Sequence, residues 1–198
     1  MRVLARAASG LNQDCGCPSP FHLAFLTDST RIGNPDEIID ALPPGAAVIF
    51  RDYDVADRHQ KAAITADLCR QRGLLFYLAG DPALAATLGA DGVHLPSALA
   101  HKLDARPSQK LVSVACHDPA DIARARQLKA DSVFLSPVYA TKSHPGAPFL
   151  GREKFLQLAS SAEMPVVALG GVNAMNAETL RGQNVCGFGA IGAFLPEQ

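Results

Sequence analysis

The chain is 198 residues long with a formal net charge of −1 at pH 7, enough for one domain with a sizeable core and without the basic excess that neutralises a nucleic-acid backbone. Apolar residues make up 48% of it, as in an ordinary globular domain, and no apolar run is long enough to span a bilayer. Neither a nucleic-acid nor a membrane partner is expected. The mildly basic stretch from Met1 to Gly10 lacks the apolar centre of a signal peptide, so the expected location is the cytoplasm.

Residues 1–20 are expected to be an irregular N-terminal segment, because positions 8–20 are rich in Gly, Ser, Asn and Pro. Cys15-Gly16-Cys17 lies within it, and without a second pair or a nearby histidine it completes no zinc set. Cys69, Cys116 and Cys186 complete an odd total of five cysteines. A disulfide framework is therefore not expected, and Cys116 and Cys186 read as small apolar fillers in strands.

From residue 21 to 198, short apolar segments alternate with helical ones. Strands are predicted at 22–27, 46–50, 74–79, 91–95, 110–115, 131–135, 165–169 and 186–191. Each is bounded by Gly, Pro or charged residues, as parallel strands buried on both faces should be. Helices are predicted over Asp57–Arg72, Asp118–Leu128 and Asn173–Arg181, with Asp118-Pro119 and Asn173 as N-terminal signals. The final helix is expected to be a stub from Ala193 to Gln198. Eight such alternations predict a single-domain (β/α)8 TIM barrel of the α/β class.

In a barrel the chemistry gathers where strands end. Those positions hold Thr27-Asp28, Arg51-Asp52, Ala79-Gly80-Asp81, His94, Cys116-His117, the loop from Ser136 to Gly146, Gly170-Gly171 and Ile191-Gly192. The loop offers Thr141, Lys142, Ser143 and His144, which are hydroxyl donors, an ammonium and an imidazole on backbone restrained by proline. That set suits an oxyanion such as phosphate, and it also fits a Pro/Gly-rich surface connector. Glycines after the last two strands let backbone N–H groups approach a phosphate, although tight turns demand glycine as well.

Thr27-Asp28, Ile49-Phe50-Arg51-Asp52, Gly89-Ala90-Asp91-Gly92-Val93-His94-Leu95, Ser136-Pro137-Val138-Tyr139 and Val167-Ala168-Leu169-Gly170-Gly171-Val172 follow one another in an order that resembles the thiamine-phosphate synthase and TenI superfamily, over roughly residues 21–195. The resemblance implies a phosphate-binding barrel. Its synthase branch joins a pyrimidine diphosphate to a thiazole phosphate with loss of diphosphate, assisted by Mg²⁺. Its TenI branch includes a thiazole tautomerase.

Carried over by position, Arg51 stands where the family binds diphosphate, while Tyr53 replaces a lysine. Ala79-Gly80 stand where the synthase has Asn-Asp, and Pro96 to Ala100 where it supplies a second metal carboxylate. Asp81, one place along, reads as the N-cap of a helix opened by Pro82. Ala115 replaces a serine, and Thr141 to His144 keep the polar character of the family's loop while moving its charge. Gly170, Gly171, Ile191 and Gly192 occupy the thiazole-phosphate positions. His117 stands where the tautomerase places its proton shuttle, a role an imidazole can fill because it titrates near neutral pH. His94 is read as ordering a strand end.

The leading expectation is thus a TenI-like isomerase that binds a thiazole phosphate or thiamine phosphate, with His117 as acid/base and no metal or cofactor required. The alternative is a synthase that uses Mg²⁺ through altered ligands. A third reading is a non-catalytic binder of thiamine intermediates. A homodimer is compatible with any of them.

Overall fold

The computed structural model describes residues 1–141 and 146–194. Eight parallel strands, β1 Leu23–Leu26, β2 Ala47–Phe50, β3 Leu75–Ala79, β4 Gly92–Leu95, β5 Leu111–Cys116, β6 Ser132–Leu135, β7 Val166–Ala168 and β8 Val185–Ala190, close into a barrel in sequence order. Each lies within about a residue of its predicted span. Nearly every strand position is buried, which is why the strands were legible as apolar runs.

Inside the barrel, the Phe21 ring meets Tyr77 edge-on at 5.6 Å and Phe134 at 6.0 Å. His94 meets Phe134 at 5.0 Å. This aromatic plug floors the barrel mouth and keeps the lumen a packed core rather than a pore.

Seven α-helices are described: α1 Arg2–Asp14, α2 Pro35–Ala41, α3 Arg58–Arg72, α4 Pro82–Thr87, α5 Ser97–Ala100, α6 Pro119–Gln127 and α7 Gly151–Ser160. Asp118 caps α6 by accepting from Asp121 N–H at 2.9 Å, and Asp81 caps α4 by accepting from Leu84 N–H at 2.9 Å. No helix among the described residues is long and apolar enough to cross a membrane.

Two expectations are corrected. The N-terminal segment is not irregular, because Leu4, Ala8 and Leu11 fall on one face at helical spacing and are buried as α1 lies against β8. An ion pair of 3.3 Å from Arg181 to Asp14 fastens its far end. The helix expected over Asn173–Arg181 is only a 3-10 turn at Ala177–Leu180, since Asn173 and Asn176 bond each other's backbone in a local turn that competes with helix. Of the expected stub at 193–198, residues 192–194 form a 3-10 turn and the rest lies outside the described residues.

Candidate functional site

The strand ends and the loops after them enclose a cavity of about 1110 Å³ at the C-terminal mouth of the barrel. That is room for two small heteroaromatic phosphates, given that single-ligand pockets run from roughly 300 to 1,000 Å³.

Arg51 follows β2 and lines the cavity, its backbone N–H donating to Thr27 Oγ1 at 3.0 Å and its guanidinium meeting Asp28 Oδ2 at 3.4 Å. Arg31, which sequence reading missed, lines the same wall 4.0 Å from Asp28. A Cβ placed on Gly192 would lie 3.2 Å from the Arg31 guanidinium, so this arginine reaches the backbone at the end of β8. Its signal in the sequence is faint, an arginine three residues after the Asp28 that follows β1.

Gly170, Gly171, Ile191 and Gly192 line the facing arc, as expected from their strand-end positions. Gly171 has φ 68°, and a Cβ there would sit 2.6 Å from Ala140 O, so only glycine lets the loops after β6 and β7 meet. Tyr139 N–H donates to Gly170 O at 3.0 Å and holds that meeting in place. The turn is thus structural, and the same pair lines the cavity. Thr141 lines the cavity as well, whereas Lys142, Ser143 and His144 lie outside the described residues.

His117 is exposed at the end of β5 and lines the cavity. Its Nδ1 lies 2.9 Å from Ser136 O; a carbonyl only accepts, so Nδ1 carries the proton and Nε2 is the nitrogen left for chemistry. Its backbone N–H donates to Asp121 Oδ2 at 2.9 Å, while Ser97 Oγ and His101 Nε2 bond Asp121 Oδ1 at 2.5 and 2.9 Å. Burial alone would raise the Asp121 pKa, but the bonds from Ser97, His101 and His117 outweigh it and hold the carboxyl below its ordinary range. This buried anion anchors the loop that carries His117.

His94 is buried, bonded to Ser113 Oγ at 2.9 Å, and its pKa is pushed down to about 4 by burial and, secondarily, by the Arg51 charge. At neutral pH it is an uncharged wall group.

The ends of β3 and β4 look different. The Tyr53 ring lies over Gly80, where a Cβ would come within 2.9 Å of Tyr53 Cε1. Arg58 sits 5.7 Å from the centre of that ring and donates to Ala79 O at 2.7 Å. Asp81 is engaged as a helix cap, and the residue after β4 is Pro96. Among the described residues that line the cavity none is a carboxylate. Mg²⁺ demands hard oxygen ligands and normally takes one or two protein carboxylates. The described residues that line the cavity do not provide that set.

The thiamine monophosphate synthase family profile matches residues 23–194. The chain belongs to this family. The thiamine-phosphate synthase of Thiobacillus denitrificans is 38% identical over 151 residues, covering 73% of this chain and 72% of the relative. That of Alcanivorax borkumensis is 33% identical, covering 71% and 68%. Among solved structures, the thiamine phosphate pyrophosphorylase from Pyrococcus furiosus superposes with a TM-score of 0.68 at 22% identity, over 86% of this chain and 85% of that one, a likeness of fold.

Proposed function

We propose that this chain is a transferase of the thiamine-phosphate synthase type, joining a pyrimidine diphosphate to a thiazole phosphate and releasing diphosphate. The observation that carries this reading is the 38% identity to a thiamine-phosphate synthase over nearly three quarters of the chain. It displaces the isomerase as the leading reading, since the relatives named above are synthases rather than tautomerases. A cavity with room for two ring systems is what a condensation requires and more than a single-substrate isomerisation needs.

In this reading the thiazole phosphate rests on the arc of Gly170, Gly171 and Gly192, and the diphosphate lies toward Arg31 and Arg51. The thiazole nitrogen attacks the methylene carbon of the pyrimidine, the carbon–oxygen bond breaks, and diphosphate leaves with the electron pair. Charge grows on the leaving oxygens, so fixed guanidinium groups aimed at them lower the barrier. Neutral His94 adds no competing charge near the thiazolium that forms.

His117 favours a second reading. The condensation transfers no proton, yet His117 is exposed to the cavity in a tautomer whose Nε2 is available. That geometry suits a 1,3-proton shift on a thiazole phosphate.

One assay set separates the two. The purified chain is given both substrates, with and without added Mg²⁺, and diphosphate and thiamine phosphate are measured; the non-aromatic thiazole carboxylate phosphate is offered separately. The transferase reading expects turnover of the pair, a fall of about 10²–10³ in kcat/KM for Arg51→Ala, and less than tenfold for His117→Ala. Aromatisation without condensation, lost by about 10²–10⁴ in His117→Ala, establishes the isomerase instead. Tight binding of thiamine phosphate with neither turnover leaves a binding protein.

A further inference from the structure

At the opposite end of the barrel from the mouth, cysteines distant in sequence converge. Cys15 follows α1, Cys17 lies two residues on, and Cys186 is the second residue of β8. The Sγ atoms of these three all lie within 4.8 Å of one another, with Cys17 and Cys186 3.3 Å apart. All are free thiols.

The backbone builds this convergence. Gly16, at φ 71°, turns the chain between the first pair. The Asn184 N–H donates to Cys15 O at 2.8 Å, drawing the end of α1 onto the start of β8. Between β7 and β8 the register slips, Val166 pairing with Val185 but Val167 with Gly187, so that Cys186 is the extra residue of a bulge. Bulges re-aim side chains, and this one directs a thiol to the other two. Cys15 and Cys186 are 2% and 0% exposed, while Cys17 is half-buried and gives access.

A disulfide would use only two of the sulfurs and require their approach to about 2.05 Å. A cation bonded to sulfur at about 2.3 Å would hold three thiolates about 3.8–4.0 Å apart, within the range seen here. Thiolates reject hard ions such as Mg²⁺ and select soft d10 ones. We propose that Cys15, Cys17 and Cys186 form a thiolate site for a thiophilic d10 cation, Zn(II) or Cu(I), which fastens the end of α1 to β8. Each thiol gives up its proton on binding, and no redox step is involved. Because Met1 and Leu4, at the other end of α1, line the active-site cavity, the clamp would also set one wall of that cavity. The proposal is independent of which reaction the mouth performs.

The full chain, reduced and stripped of metal, is titrated anaerobically with Zn(II) in one arm and Cu(I) in another, passed through a desalting column, and its retained metal quantified beside its melting temperature. The expected result is one retained equivalent with a raised melting temperature, the preferred ion decided by competition between the arms. Cys17→Ser and Cys186→Ala should each weaken binding by more than ~100-fold, beyond the ~10–100-fold typical of an outer-shell change. Cys69→Ala, remote on α3, should bind as the parent does. Retention of neither ion, equal retention by Cys17→Ser, or a Cys17–Cys186 disulfide as the resting state of freshly isolated protein overturns the proposal.

Discussion

The rim of the barrel divides into unlike halves. From β7 through β8 to β1 and β2 it presents Gly170, Gly171, Gly192, Arg31 and Arg51, which suit anions. Across β3 and β4 it presents Pro96 and the Tyr53 ring, which lies over Gly80, with no carboxylate facing the cavity among the described residues. The first half is built from backbone whose position barrel closure fixes, braced by arginines on Asp28. The second depends on individual side chains, which can be replaced without disturbing the fold. The lesson is that a rim suited to anions belongs here to the architecture, whereas a metal site would belong to particular residues.

The sharpest way to break the first half is Gly171→Ala. Its positive φ adds strain of about 1–3 kcal/mol, and the contact with Ala140 O adds overpacking of similar size. A loss of about 2–6 kcal/mol is expected in denaturant unfolding, together with loss of thiazole phosphate binding. An unchanged midpoint would show that the loops after β6 and β7 need no glycine.

A smaller effect follows from His94, on β4 in the second half. Its folded pKa of about 4 lies below the ordinary value of 6.5, so above that ordinary value both states are neutral and nothing is gained or lost. As pH falls from 6.5 toward 4, the unfolded chain takes up a proton that the folded chain refuses, and stability drops by roughly 3 kcal/mol at most. Unfolding midpoints measured across that window for the parent and for His94→Gln should show a slope in the parent that flattens in the variant.

The smallest expected effect probes the second half. Gly80→Asp sets a carboxylate where the Tyr53 ring now lies, and Tyr53→Lys removes the ring. In a double-mutant cycle the pair should recover about 1 kcal/mol relative to the sum of the singles. If the changes simply add, the ring and the glycine are not mutual accommodations. Calorimetry of the pair with Mg²⁺ would show whether the carboxylate then binds the ion.

Much of the site was legible because barrels place function at strand ends. Arg51, His117, Thr141, Gly170, Gly171, Ile191 and Gly192 all reach one cavity, as their positions suggested. Arg31 escaped because it sits in a turn, where only the fold shows it beside Gly192. Tyr53 was legible as a missing lysine but not as the ring that covers Gly80. The helix α1 was hidden by its Gly, Ser and Asn residues, which read as loop, while the burial of its 4, 8, 11 face comes from β8.

The sequence by itself determined the strand count, their order and the anion-binding character expected of the mouth, since a strand buried on both faces must be apolar along its whole length and chemistry gathers at its end. Tertiary structure alone decided that α1 covers β8, that His117 keeps Nε2 available by donating through Nδ1, and that Cys186 meets Cys17, 169 residues earlier in the chain. Local patterns report which face of a segment is buried. Which distant groups share that buried space is settled only when the barrel closes.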